Sequence, residues 1–364
     1  MKFFNFDVHI SVIRDLKFIF EKLGHSVTNW SISGHTWVFK EKPVKTKHLN
    51  KENWTSIDVK KANMFYTEYK SIIDSHDAYI VTFSASFIYL YYTTNKPIIL
   101  ILATRYENPF TNEPNKWNEL NETIKILINE GRLTVIANNK ADKWYFEYFL
   151  KHEPKLIPSL CLYTNSFYNT KHKRLILSTK HPKPLPRLSS KKTKPFFSCR
   201  MYLYCVDRNR HLKNGYTWRE YYSYRGIIHM PYQISTMSIF EEYSACIPLF
   251  FPSKEYLKKL HSKFPEYFLS ELSFFDVRKL NKSELKDDDP NNTFKSSILN
   301  KWIFLADYYD KVNMPYINFF SSQNDLINQV ISCDFLQISN EMRSHNIIRF
   351  NNTFKKWNEI LEKL

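Results

Sequence analysis

Along the first half of the chain, short apolar runs alternate with segments whose apolar residues recur every three or four positions. The runs Lys2–Phe6, Ser26–Ile32, Ala78–Phe83, Pro97–Ala103, Leu133–Ala137 and Lys155–Pro158 predict strands. The helical spacing between them predicts helices over Val12–Leu23, Ile57–Tyr69, Phe87–Thr93, Trp117–Glu130 and Lys140–Lys151. Gly24 and Gly131 stand just beyond two of these helices, where a residue tolerant of positive φ suits the stop. Strands that are apolar throughout, rather than alternating, are covered on both faces. That predicts a parallel, doubly wound α/β sheet.

The alternation resumes after residue 168. Strands are expected at Arg174–Ser178, Met201–Val206, Gly226–Met230, Pro248–Phe251 and Ile317–Phe319. Helices are expected to end at Trp218–Ser223 and to cover Met237–Ser244, Glu255–His261, Trp302–Tyr309 and Gln323–Ser332. A last amphipathic helix, Phe354–Leu364, carries Trp357, Ile360, Leu361 and Leu364. The expected division is 1–168, 169–340 and a terminal segment 341–364. Two stretches break the pattern. Residues 180–196 include HPKPLPRLSSKKTKP, with four prolines and no acidic residue, and read as an exposed basic loop, solvated or facing a phosphate. Asn281–Asn292 is polar and holds Asp287, Asp288 and Asp289, which lack the spacing of a metal site and read as a solvated loop.

Composition narrows the classes. A chain of 364 residues accommodates two domains, and 43% hydrophobic with 24% charged residues is a globular balance. The longest apolar runs fall far short of the roughly 20 residues that cross a bilayer. Five cysteines without CxxC spacing argue against a disulfide framework or a zinc site and point to a reducing, cytoplasmic setting. The net charge of +16 attracts polyanions, including acidic membrane surfaces, which makes a peripheral membrane location an alternative. It also invites a nucleic-acid-binding reading, yet most aromatics fall inside apolar periodic elements and read as core. With five glycines the chain has neither GxGxxG nor a Walker loop, so a phosphate cradle needs other donors.

Ligands of open parallel sheets sit beyond the carboxyl ends of the strands. GIIHMPYQISTMSIFEEYSACIPLFFPS offers such an end: a strand, a loop Pro231–Ser235 containing Tyr232, and a helix. Ser235 can cap that helix, whose positive end and first turn, with Ser238, suit a diphosphate. Glu241 is placed to accept ribose hydroxyls, and Glu242 points about 100° away on the helix. Arg225 or His229 can stabilise a leaving diphosphate. In the first domain, Asp7 and His9 follow the first strand and His35 follows the second, so all three are candidate bases at the same sheet edge. Arg105 and Asn138 also stand at strand ends.

Through His229, Pro231, Ser235, Ser238, Glu241 and Pro248, the segment resembles the C-terminal domain of GT-B glycosyltransferases. ADYYDKVNMPYINFFSS resembles the closing section of such domains, and the Trp357 helix the one that crosses back to the first domain. The missing glycine-rich loop departs from the pattern. The resemblance implies two Rossmann-like domains facing across a cleft and a C-terminal helix returning to the first. It implies transfer of a sugar from a UDP- or GDP-sugar to a hydroxyl acceptor on a glycan, protein or lipid. It implies a base among Asp7, His9 and His35, and no metal. The alternatives are a DNA-modifying or other nucleic-acid-binding protein, and a sugar-nucleotide epimerase on the same fold.

Overall fold

A computed structural model describes residues 1–178, 203–212, 215–270, 272 and 285–364. The basic loop 180–196 and residues 281–284 of the polar insertion therefore lie outside the described residues. The chain divides into two compact units. Unit 1 is Met1–Tyr163 with Ser273–Ile298 and Asn352–Leu364, and unit 2 is Thr164–Leu272 with Leu299–Asn351.

In unit 1 the chain runs β1 (Lys2–Asp7), α1 (Ile10–Lys22), β2 (Ser26–Ser31), α2 (Val59–Asp74), β3 (Ala78–Thr82), β4 (Ile98–Leu102), α3 (Pro114–Asn129), β5 (Leu133–Ala137), α4 (Lys140–Leu150) and β6 (Lys155–Leu156). All strand pairs are parallel, in the order β2-β1-β3-β4-β5-β6. Because β3 lies on the other side of β1 from β2, right-handed crossovers put α1 and α2 on opposite faces. Every residue of β3 and β4 is buried, as their unbroken apolar sequences require. The expected helix Phe87–Thr93 is instead a 3₁₀ segment, Ala85–Leu90, with all six residues buried, so no polar face sets a helical period there.

Unit 2 repeats the plan with β7 (Leu175–Ser178), β8 (Cys205–Asp207), α5 (Arg208–His211), α6 (Trp218–Tyr221), β9 (Ile227–His229), α7 (Met237–Ser244), β10 (Leu249–Pro252) and α8 (Lys254–Lys263). It continues through most of α9 (Ser296–Phe304), then β11 (Asn318–Phe320), α10 (Gln323–Ser332) and the first part of α11 (Phe335–Leu361). Its parallel sheet has the order β11-β10-β9-β7-β8. Both units are thus Rossmann-like, with the strand order reversing beside the first strand of each.

The described part of the polar insertion belongs to unit 1, not to the second stretch of sheet where its position in the chain suggests. Tyr148 donates to Asp288 at 3.1 Å, and Tyr145 and Asn291 bond at 3.1 Å in the interior. The terminal helix is also longer than expected, 27 residues starting at Phe335. Its inner stripe is Ser339, Met342, Asn346, Arg349, Thr353, Trp357 and Ile360, all buried. Four of those seven are polar, which hides the stripe from a hydrophobic-period reading. Two of the four bond to the end of α7: Asn346 donates to the Tyr243 carbonyl at 3.1 Å, and Arg349 donates to Ser244 Oγ at 2.9 Å. From Asn352 onward the helix belongs to unit 1, where Trp357 meets the Phe20 ring edge-on at 5.1 Å.

Candidate functional site

The carboxyl ends of β7 and β9 are the switch point of unit 2, where a doubly wound sheet opens a crevice for ligands. Ser178 and His229 close these strands in direct register. Arg208, the first residue after β8, donates from Nη1 to Ser178 Oγ at 3.2 Å. Tyr221 reaches in from α6 and donates to Glu242 Oε1 at 2.8 Å. Glu242 comes from α7, and its Oε2 stands 3.9 Å from His229 Nε2.

Electrostatics make this cluster unusual. Burial pushes the Glu242 carboxyl up to about 8, against the pull of Tyr221 and Arg208. Burial, helped by the Arg208 charge, lowers His229 to about 3. At pH 7 His229 is therefore neutral and Glu242 mostly protonated, so their approach is not an ion pair. Both His229 ring nitrogens and Glu242 Oε2 lack hydrogen-bond partners among the described residues. Burial opposes the Arg208 charge too, but Tyr221, Tyr216 and Glu242 hold its pKa above the ordinary value. The arrangement fixes one guanidinium at the switch point and keeps its carboxyl neighbour largely uncharged.

The sequence-derived residues divide by position. His229 and Glu242 are 2% and 0% exposed, so they face the interior and not a ligand, which corrects the expectation of direct contact. Glu241, one position earlier on α7, is half-buried; burial raises the Tyr216 pKa, and the Glu241 charge adds to it. Tyr232 is half-buried in the loop and feels Arg208 and Glu242. The cap of α7 is Thr236, not Ser235. Its backbone is extended, no cap side chain accepts from the first turn, and its hydroxyl meets that of Ser238 at 2.9 Å. Ser235 stays in the loop. Arg225 is at the other edge of the sheet: it precedes β9, and its guanidinium lies 4.2 Å from the Phe335 ring centre. A strand separates it from His229, so it does not join this cluster.

In unit 1 the corresponding switch point lies between β1 and β3. Asp7, the last residue of β1, is fully buried and accepts from Ser31 Oγ at 3.4 Å. Burial raises it to about 7, opposed by the His9 amide, Ser31 and Arg14. His9 caps α1 with its backbone and stacks on Phe83 at 5.1 Å. Phe83 holds φ at +62°, a conformation that costs a bulky residue on the order of 1 kcal/mol or more. Burial, then the charge of exposed His35, lowers His9 to about 4, so its ring is neutral at pH 7. His9 Nδ1 and Asp7 Oδ2 have no hydrogen-bond partner among the described residues. Arg105 and Asn138 are instead tied into the interior, to Asp142 at 3.3 Å and to Ser159 at 3.4 Å.

Ser178, Arg208 and Tyr221 escape a sequence reading. The one available signal is Asp207-Arg208 directly after a strand: Asp207 caps the following turn by accepting from the Asn209 amide at 2.8 Å, which aims Arg208 at the sheet edge.

No family model and no curated protein matches the chain. Among solved structures it is similar to a glycosyltransferase from Rickettsia africae ESF-5 (12% identity, 100% of this chain and 98% of that one, TM-score 0.46). It is also similar to the glycosyltransferase SnogD from Streptomyces nogalater (11% identity, 84% and 95%, TM-score 0.40). A putative UDP-N-acetylglucosamine 2-epimerase from Listeria monocytogenes aligns as well (10% identity, 91% and 96%, TM-score 0.41). At these scores the likeness is one of general architecture, and the fold is read from strand order instead. No helix among the described residues is long and apolar enough to cross a membrane.

Proposed function

We propose that this chain is a GT-B type glycosyltransferase that takes a sugar from a UDP- or GDP-sugar and passes it to a hydroxyl acceptor. The carrying observation is that both sheets reverse at their first strand and each gathers buried polar groups with orphaned atoms at that point. In this reading unit 2 holds the donor. The loop with Tyr232 and Ser235, and the first turn of α7 with Ser238, receive the diphosphate at the positive end of the helix dipole. Glu241 accepts the ribose hydroxyls. Arg208 supplies the fixed positive charge for the leaving diphosphate, held in place by Ser178 and Tyr221. Glu242 holds Tyr221 in turn, through the hydrogen bond from its hydroxyl.

Unit 1 supplies the acceptor side. His9 is neutral and its Nδ1 is unengaged, so it can take the acceptor proton; Asp7 and His35 flank it. With Arg208 and a helix end carrying the charge, transfer proceeds without a divalent metal.

The test is calorimetric titration of UDP and GDP in the presence of EDTA, followed by product analysis with UDP- and GDP-sugars. Glu241→Ala is expected to weaken nucleotide binding about tenfold or more, the worth of a charged hydrogen-bond acceptor, with an unchanged melting temperature. If no nucleotide sugar shifts the melting temperature of the wild-type chain, the reading fails. Release of an epimerised nucleotide sugar without transfer would replace it with an epimerase.

A further inference from the structure

The opposite, amino-terminal edge of the unit 2 sheet carries a second polar feature that glycosyl transfer does not use. There the chain enters β7 through Lys171–Arg174 and β9 through Arg225. A groove of about 680 Å³, within the usual range for a small-ligand site, is lined by Lys171, His172, Lys173, Arg225, Asp334 and Phe335 among others.

The cations are presented on a fixed frame. The amides of Lys171 and His172 both donate to the Ser223 carbonyl, at 2.7 and 3.0 Å. The His172 ring stacks on Tyr224 at 4.4 Å, and the Tyr168 hydroxyl donates to the Arg225 carbonyl at 2.9 Å. Arg225 rests on Phe335, which leaves its N–H fork free to turn outward. None of Lys171, Lys173 and Arg225 has a carboxylate within ion-pair distance among the described residues. The one acid in the groove, Asp334, is committed to the start of α11, where its Oδ1 accepts the amides of Leu336 and Gln337 at 3.1 and 2.9 Å.

Lys171, Lys173 and Arg225 set three cations around one groove against the single carboxylate of Asp334, and a bound anion offsets the excess positive charge. We propose that this groove binds a phosphate monoester or diester, with Arg225 as the bidentate contact and Lys171 and Lys173 closing around the remaining oxygens. The phosphate arrives either on a small soluble molecule or on a lipid headgroup. A single nucleic-acid strand fits less well, because Tyr168, Tyr224 and Phe335 are 9%, 6% and 6% exposed and leave no face for a base to stack on. The site is on the other edge of the sheet from the nucleotide crevice and does not depend on the transferase reading.

The experiment uses the full chain with three probes: inorganic pyrophosphate by calorimetry, vesicles of phosphatidylglycerol in phosphatidylcholine by sedimentation, and a single-stranded oligonucleotide by calorimetry. Pyrophosphate binding that the groove variant loses assigns a soluble ligand, and anionic-vesicle binding that it loses, alone or tighter, assigns a headgroup; either supports the proposal. In the arm that binds, Lys171→Glu/Lys173→Glu, at exposed positions, is expected to lose about tenfold or more in affinity. Arg225→Ala should do the same, although it also removes a contact with Phe335. Lys60→Glu/Lys355→Glu, an equal charge change at exposed positions of unit 1, should stay within about twofold. The proposal is overturned if neither probe binds, if the unit 1 variant loses as much as the groove variant, or if only a single-stranded oligonucleotide binds.

Discussion

Glu241 and Glu242 are neighbours in sequence with opposite environments. A helical step of 100° already sends them to different faces, but it does not say which face is inside. The interior took Glu242 because Tyr221 and Arg208 meet it there, and burial then lifts its carboxyl from 4.5 to about 8. The sign of the consequence follows from linkage. The folded state keeps its proton longer than the unfolded chain, so the stabilising effect is complete below pH 4.5 and is lost as the pH rises through about 8. Glu242→Gln keeps an acceptor for Tyr221 and cannot ionise. Relative to wild type it should gain stability from pH 5 to about pH 8 and level off above that in urea denaturation. A difference that stays flat with pH would refute the buried neutral carboxyl. His229, with its lowered pKa, acts in the other sense, losing its contribution as the pH falls below 6.5.

The strands and the long amphipathic helices were legible at the level of single elements, because fully buried strands are apolar throughout and α1 shows its stripe openly. Elements whose inner face is polar were not. α11 hides a helical repeat behind Asn346 and Arg349, and α1 buries Asp15 because its carboxylate accepts the amides of Leu160 and Cys161 at 2.9 and 2.6 Å. Partners that distant in the chain leave no local trace. The entry to β9 gives a sharper test. A Cβ on Gly226 would stand 2.8 Å from the Pro248 carbonyl oxygen, a backbone atom that cannot move aside, and 3.3 Å from Phe335. Gly226→Ala should therefore destabilise unit 2 by about 1–3 kcal/mol, seen as a lower urea midpoint. An unchanged midpoint would mean that β9 and β10 are less closely seated than described.

Across the whole molecule, the two sheets share one strand order, and so each places its polar residues where its order reverses. The candidate residues Asp7, His9 and His35 share one sheet edge because β2 pairs with β1 through Asp7 and Ser31, although His35 is separated from the others by α1 and β2 in the chain. α11 contributes to both units, with its last turns packed in unit 1 through Trp357. Trp357→Ala should cost unit 1 about 3–5 kcal/mol, the usual range for emptying a buried tryptophan site. Hydrogen exchange should show the lost protection in β1 and α1 around Phe20 while β7, β9 and β10 keep theirs. Equal loss in both sheets would show that the units do not unfold separately.

What the sequence by itself determined is the part of the protein governed by local periodicity: two runs of parallel strands and helices, among them the strand–loop–helix around His229. The identity of the groups at that place was decided by tertiary structure. Ser178, Arg208, Tyr221 and Glu242 come from four separate elements, and only the reversal of strand order brings them together. Their charge states, too, belong to the fold, since burial keeps Glu242 mostly protonated at pH 7 and holds His229 neutral well below its ordinary 6.5.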